Sequence, residues 1–527
     1  YRPTAFSYDP RDKLSTVTDP LNYVTSYGYD ARGNQISQLD PNGVTTSFEF
    51  DQAGRRTAVR YPLGSNTADV TWQYRKGGQR TQMVDGIGTT TYNYDDRERL
   101  ISTTQPNGAS STTMTYGYDA RGNRTSLSFT NYSKTYTYLP GGLLATVGGA
   151  TYIYDAAGRP ASLVLNGNTT TYDYDAAGRT WKVNTAFTTQ FHIGGGTPDL
   201  VQTRETYSYD KAHNLLQTDR VDKTVSYEEN NRGMPLPPVE STKTDTQSYD
   251  GVNRITGLTS EFTNQANAYI YDGAGNQKQH WFVQPPYTPG ALTHVSDANH
   301  RLTGITGKTE YVNDRNGNIL YSRTYGATPK SVTVNVWNDA NRLAATATAP
   351  GAACAVSATY TYNGDGLRTK TENYCATGVT TAYNLYDLGA ALPVVLAETQ
   401  GGTNLTRQFT YGLGLLARDY TTTTGWTGTQ YYYHDGQGNV RTVVNTAGPN
   451  VPTWHRYKYD PFGQITQIAP TYLTVENPYT WKSEPRDASG PIYLRARHYD
   501  PALGRFLSRD PLPGSRWDAQ SQNPYAY

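Results

Sequence analysis

No run of basic residues, no long apolar stretch and no helical periodicity occurs anywhere in these 527 residues. The 46 Lys and Arg are balanced by 45 Asp and Glu, for a formal net charge of +1. A surface for nucleic acid or anionic membrane therefore has no electrostatic support. No stretch of 18 apolar residues is present, so no segment is suited to span a bilayer as a helix. Apolar residues nowhere recur at i, i+3, i+4 and i+7, which leaves almost no helix to expect. The chain also lacks a Gly-x-Ser-x-Gly elbow and a His-Glu-x-x-His pair, and Gly194-Gly195-Gly196 has no following Lys-Ser/Thr and reads as flexible chain. A free-standing hydrolase has no visible carrier, and no cofactor or metal is expected.

What is present is tyrosine, 46 residues against 11 Phe and 8 Trp, placed in a repeat. Tyr-Asp followed by two variable residues and Gly recurs at Tyr29-Asp30-Ala31-Arg32-Gly33, Tyr118-Asp119-Ala120-Arg121-Gly122, Tyr154-Asp155-Ala156-Ala157-Gly158, Tyr174-Asp175-Ala176-Ala177-Gly178 and Tyr271-Asp272-Gly273-Ala274-Gly275. The spacing of good copies is about 20 to 24 residues, and degraded copies such as Tyr94-Asp95, Tyr209-Asp210, Trp337-Asn338, His434-Asp435 and Tyr459-Asp460 fill the gaps. A second Tyr often stands two residues earlier, as at Tyr27, Tyr116, Tyr152, Tyr172 and Tyr269, which puts each pair on one face of a strand. The Asp accepts bonds from backbone N–H groups ahead of it, and the Gly supplies the positive φ of a tight turn. Each repeat reads as a β-hairpin reversed at Asp-x-x-Gly. A catalytic group is needed once and a structural one at every unit, so the recurring Tyr and Asp are assigned to packing and turn chemistry.

Four interruptions stand out, at 181–203, 228–245, 277–292 and 385–418. The first three are rich in Gly or Pro and are expected to be loops or strand crossovers, with partner docking by the Pro-rich stretches as the alternative. The fourth is apolar, from Leu385-Tyr386-Asp387-Leu388 to Leu413-Gly414-Leu415-Leu416-Ala417, and marks a change of segment. Cys354 and Cys375 lie symmetrically about Gly364-Asp365. They are either a cross-strand disulfide, which implies an oxidising compartment, or two buried free thiols.

The most specific signature runs from Pro491-Ile492-Tyr493-Leu494-Arg495-Ala496-Arg497-His498-Tyr499-Asp500-Pro501 through Gly504-Arg505-Phe506-Leu507-Ser508-Arg509-Asp510-Pro511. With the repeats before it, it resembles the Rhs/YD-repeat family along nearly the whole chain and, at this point, the Rhs-associated core. That resemblance implies an all-β fold in which antiparallel hairpins coil into a spiral hollow shell, with a C-terminal core or plug. It implies YD repeats over 1–384, distal repeats of the core over 385–490 and the core motif over 491–527. It further implies an aspartyl autoprotease that severs a C-terminal toxin domain held inside the shell. Asp510 matches one catalytic aspartate; the second belongs to an Asp-Pro-x-Gly element downstream of Tyr527, and Asp518 does not match it. An Asp pair suits hydrolysis because two close carboxylates cannot both ionise, so one acts as acid while the other activates water. Arg505 and Arg509 either hold a carboxylate or the cleaved strand, or form structural ion pairs. His498 is read as packed or at the surface.

The chain opens at Tyr1-Arg2-Pro3 and is read as a segment of a longer, secreted or cell-surface polypeptide. Two strands per repeat predict about 48 strands, a ribbon of about 230 Å that closes one ring of about 70 Å. Such a ring is too short to enclose a folded toxin domain about 40 Å across. Upstream repeats or a second shell chain are expected to complete it. The competing reading is a surface adhesion protein whose exposed tyrosines stack on a glycan or meet a receptor, as in the YD shells of teneurins.

Overall fold

The structure, a computed structural model, describes residues 3–188, 199–225, 239–261, 265–284, 288–325, 331–349, 357–375, 378–400, 404–421, 427–446, 453–469, 477–512, 514 and 521–527. Forty strands, from Ala5–Tyr8 to Ile465–Ala469, form one sheet in which consecutive strands pair antiparallel. Three short strands, Ile492–Tyr493, His498–Asp500 and Arg505–Phe506, form a second sheet. Among the described residues the one helical element is a single 3-10 turn, Trp481–Ser483. The all-β architecture follows the sequence, with 40 ribbon strands among the described residues against about 48 expected for the whole chain.

The repeat around Asp119 shows how the unit holds together. Asp119 Oδ1 accepts the N–H groups of Arg121 and Asn123 at 2.9 Å each, and Oδ2 accepts the Asn123 side chain at 2.8 Å. The backbone closes the same turn, Asp119 N to Asn123 O at 2.9 Å and Gly122 N to Asp119 O at 3.1 Å. Gly122 has φ +94°, a region that costs glycine no steric penalty. A register shift between Gly117 and Tyr118 turns the tyrosine toward the preceding hairpin, where its hydroxyl donates to Leu100 O at 2.8 Å. The same latch joins Tyr29 to Leu14, Tyr138 to Arg124, Tyr174 to Pro160, Tyr209 to Thr180 and Tyr459 to Val440. Where Arg follows the Gly position it ties forward as well. Arg99 Nε reaches Asp95 at 2.7 Å, its Nη1 reaches Asp119 O at 2.9 Å, and its guanidinium lies 4.8 Å from the Tyr118 ring centre.

The ribbon winds onto itself. Asp19 accepts from Asn299, Asn42 donates to Asp314, Arg80 pairs with Asp365 at 2.7 Å, Tyr132 donates to Phe409 O, and Arg441 pairs with Glu205 at 2.7 Å. From the hairpin end near Asp19 to the turn at Asn299 the sheet advances 23 described strands. At ~4.8 Å per strand that arc is about 110 Å around and about 35 Å across, so the ribbon makes nearly two narrow courses instead of one wide ring.

The seam between the courses changes chemistry along its length. Its first part consists of hydrogen bonds between turns, Asp19 with Asn299 and Asp40 with Asn316. Its middle is apolar: Leu385, Leu396, Ala397 and Leu416 pack with Met114, Leu127, Tyr132 and Leu163 in one buried cluster. The apolar stretch 385–418 is thus the second course's contribution to the seam core. Strand Gly378–Asp387 runs through the 384/385 division, and the ladder is continuous there. The last part is ionic, with Glu205 between Arg441 and Tyr207, and Asp222 bound by Arg220 and Arg456.

One expectation is corrected in part: the described residues of the interruptions at 181–203, 228–245 and 277–292 are almost all in strands of the sheet. Asp199–Tyr209, Leu215–Val225 and Val239–Tyr249 are its longest strands at 11 residues each, and Gln277–Gln284 and Thr288–Ser296 pair along their length. The Pro-rich pieces 235–238 and 285–287, like Gly194 to Gly196, Cys354 and Asp518, lie outside the described residues. Cys375 ends the strand Arg368–Cys375, and its pairing with Cys354 lies outside the described residues.

Two substitutions separate unit from seam. Tyr118→Phe removes one latch and is expected to cost ~0.5–1.5 kcal/mol. Leu396→Ala, at a site 1% exposed in the seam core, is expected to cost ~2–5 kcal/mol. Urea midpoints of the two variants against the parent chain check the order.

Candidate functional site

Residues 477–512 leave the ribbon and bind its turns one after another. Lys482 N donates to Asn439, Arg486 Nη2 to Gln464, Arg495 Nε to Pro393 O, and Tyr499 donates its hydroxyl to Phe462 O at 2.8 Å. Ile319 N donates to Leu507 O. Asn439 lies in the turn after His434-Asp435, Phe462 and Gln464 in the turn after Tyr459-Asp460, and Ile319 opens the strand after the turn at Asp314, so this segment bridges several turns of the second course.

Its firmest anchor is ionic and buried. Asp487 meets Arg368 Nη1 at 2.7 Å, and the guanidinium lies between the rings of Tyr493 and Tyr360, at 4.3 and 4.9 Å. Burial pushes the Asp487 carboxyl up, but Arg368 and His498 outweigh it and hold it below the usual carboxylate range. His498 is buried against Tyr493 with Nε2 3.5 Å from Asp487, and burial lowers its pKa against that carboxylate. It is a packed residue, one of the two places the sequence allowed.

Asp510 lies where the segment folds back. Strand His498–Asp500 pairs with Arg505–Phe506 through Tyr499 and Phe506, which brings Arg497 to Asp510. Arg497 Nη2 stands 2.7 Å from Asp510 Oδ2, and Nη1 donates to Pro524 O at 3.1 Å. Asp510 N donates to the same Pro524 carbonyl at 2.9 Å, and its Oδ1 accepts Leu512 N at 2.9 Å. The carboxylate therefore faces a guanidinium and an adjacent stretch of its own chain.

Of the two arginines assigned to support, neither is on this carboxylate. Arg505 turns into the shell, where Nη2 donates to His300 O at 2.7 Å and the guanidinium covers the Tyr525 ring at 4.7 Å. Burial pulls its pKa down to about 10. Arg509 is exposed, and its charge opposes the upward shifts of Tyr27 and Tyr525. Arg497 is the residue that sequence reasoning passed over. Thirteen positions separate it from Asp510, and no spacing rule links them; the hairpin at 498–506 does. Among the described residues no group of three or more His, Cys, Asp and Glu is placed to hold a metal ion, and no helix is long and apolar enough to cross a membrane.

Comparison with known proteins matches residues 8–39 and 29–65 to the RHS repeat. The tRNA3(Ser)-specific nuclease WapA of Bacillus spizizenii is 32% identical over 266 residues, covering 49% of this chain and 10% of that protein. The tRNA nuclease WapA of Bacillus subtilis is 30% identical over the same length, with the same 49% and 10% coverage. The chain thus spans about a tenth of the curated relatives it matches. Among solved structures, the TcdB2–TccC3 complex aligns with 99% of this chain and 34% of its own at 15% identity and a TM-score of 0.41. The Photorhabdus luminescens Tc holotoxin pore aligns with 100% and 30% at 16% identity, also with a TM-score of 0.41.

The ribbon turn on which the bridging segment docks carries a pH dependence. Asp460, in the turn under Tyr499, has its carboxyl pushed up to about 7 by burial, against the N–H groups of Gln464 and Phe462 and the charge of Arg486. The folded state therefore binds the proton more tightly than the unfolded chain, with its value of 3.8. The stabilisation is complete below pH 3.8 and is lost as pH rises through about 7. Asp460→Asn keeps the turn's acceptor and is expected to remove this part of the pH dependence. Thermal unfolding of both proteins between pH 4 and 8 checks it: the melting difference between them should grow toward pH 8 in favour of the variant.

Proposed function

We propose that this chain, an RHS-repeat protein, is part of the wall of an encapsulating carrier that keeps a C-terminal toxin domain from its producer, and that Asp510 belongs to the aspartyl autoprotease that frees the cargo. The observation that carries this reading is the placement of residues 477–512, which bridge turns of the coiled sheet, and of 523–526, which run along Asp510. In such hydrolysis a water adds its hydroxyl to the scissile carbonyl carbon, the C–N bond breaks and the leaving amine takes a proton. Asp510, paired with Arg497, suits the carboxylate that activates the water. A second carboxylate, from the downstream Asp-Pro-x-Gly element, supplies the proton.

The size of the coil limits what this section encloses. With inward side chains removed from a course about 35 Å across, about 25 Å remains inside, less than the roughly 40 Å of a folded 150-residue domain. Upstream repeats of the same polypeptide, or a partner chain, complete the wall around such a cargo. The relatives named as tRNA nucleases are far longer than the stretch they share with this chain, and we place any nuclease in the cargo rather than in the repeats. A secreted or cell-surface location accords with a carrier of this kind.

Asp510→Asn in the polypeptide extended past the next Asp-Pro-x-Gly element is expected to stay full length while folding normally. Gel and intact-mass analysis read the result. Complete processing by that variant would leave a structural bridge without protease chemistry and favour the glycan- or receptor-binding adhesion protein.

A further inference from the structure

The motif Asn523-Pro524-Tyr525-Ala526-Tyr527 has no part in the repeats, and its alternate side chains enter three different sites. Asn523, 7% exposed, donates Nδ2 to Asn276 Oδ1 at 3.2 Å. Tyr525, 2% exposed, lies under the Arg505 guanidinium and donates its hydroxyl to Gly317 O at 3.0 Å. A Cβ on Gly317 would stand 2.1 Å from that hydroxyl, and φ there is +90°, so the site accepts the tyrosine because its wall is glycine. Tyr527 sets its ring against three others: Trp481 at 4.8 Å, Tyr499 at 4.9 Å and Phe506 at 5.9 Å. Those three rings are themselves buried. Between the side chains the backbone runs antiparallel to 505–510, with Phe506 N donating to Tyr525 O, Asp510 N to Pro524 O, and Arg505 bridged to Ala526.

This is how an extended peptide is gripped in a specific register: ladder bonds on one side and a separate site for every second side chain. A slip of one residue would put Pro524 and Ala526 where Asn523, Tyr525 and Tyr527 now fit. We infer that Asn523, Tyr525 and Tyr527 form a guide strand, whose docking fixes which downstream peptide bond is brought to Asp510. Tyr527 is the positioning residue nearest the outgoing chain. Arg497 links the guide to the carboxylate, since one guanidinium holds both Pro524 O and Asp510. The inference rests on the autoproteolytic reading and adds to it the determinant of cleavage position.

The test uses the polypeptide extended past the next Asp-Pro-x-Gly element, with Tyr527→Ala, Tyr527→Phe and Asp510→Asn made separately. Tyr527 is 60% exposed, so its truncation leaves the buried rings in place and the fold intact; an unchanged urea midpoint verifies this. Tyr527→Ala is expected to slow processing by at least about tenfold, because loosening a positioned bond costs that much or more. It is also expected to give the released fragment more than one N-terminus by intact mass. Tyr527→Phe keeps the ring and should restore one N-terminus and the parent rate. Tyr527→Ala that cuts the parent bond at the parent rate, while Asp510→Asn stays uncut, would overturn the guide strand and leave the protease reading standing. Cutting by Asp510→Asn would overturn both.

Discussion

The tie between one turn and the next is what the rest of this molecule depends on. An aspartate carboxylate gathers the N–H groups of its own turn, and the tyrosine before it sends a hydroxyl to a carbonyl of the preceding hairpin, as Asp119 and Tyr118 do. Neither bond is strong by itself. Together they make each hairpin specify the position of its neighbour, so the sheet lengthens without a thick apolar core and its stability is a sum over units and their contacts. The degraded repeats show which part is essential. At Arg75 and Leu139 the carboxylate is gone, yet Arg75 N still bonds Gln79 O and Leu139 N still bonds Leu143 O. The backbone frame carries the turn; the aspartate satisfies donors that water would otherwise have to reach.

Coiling adds a second level of contact with different chemistry on different arcs. Hydrogen bonds between turns, then an apolar arc flanked by the ion pairs Arg80–Asp365 and Arg124–Asp387, then a denser ionic cluster follow one another along the seam, and only the apolar arc resembles an ordinary domain core. In the ionic arc burial pushes the Glu205 carboxyl up, and Arg441 and Arg220 more than reverse it. Such a cluster contributes little net stability over a well-packed apolar one, but it is costly to mispair, which suits a surface that must meet one partner strand and no other. The two courses are therefore aligned by chemistry as well as by shape.

The C-terminal segment uses the same vocabulary. Tyr499-Asp500 with Gly504-Arg505 is a copy of the repeat turn longer by one residue, in which Asp500 accepts Ala502 N at 2.9 Å, and it folds Arg497 back onto Asp510. A unit that elsewhere only builds wall here places a guanidinium, a carboxylate and a passing strand together. The cluster of Trp481, Tyr499 and Phe506 then gives this region the apolar core that most of the wall lacks.

Much of this was legible in the residue order. Tyr-x-Tyr-Asp with Gly three residues after the Asp dictates strand, bulge and turn through bonds that span a few positions, so the hairpins, the all-β class and the tyrosine faces follow from local chemistry. Asp510 was visible as part of a motif, and Arg497 stood in that motif without an assigned role. What only the tertiary structure decided are quantities that depend on residues more than two hundred positions apart. The curvature of the coil pairs Asp19 with Asn299 and Tyr132 with Phe409, makes two narrow courses from one ribbon, and gives the apolar stretch 385–418 its partners. The long strands that flank the interruptions were hidden for the same reason: strand length there is set by pairing with long neighbours, such as Leu215–Val225 against Val239–Tyr249, and pairing is not written in either strand alone.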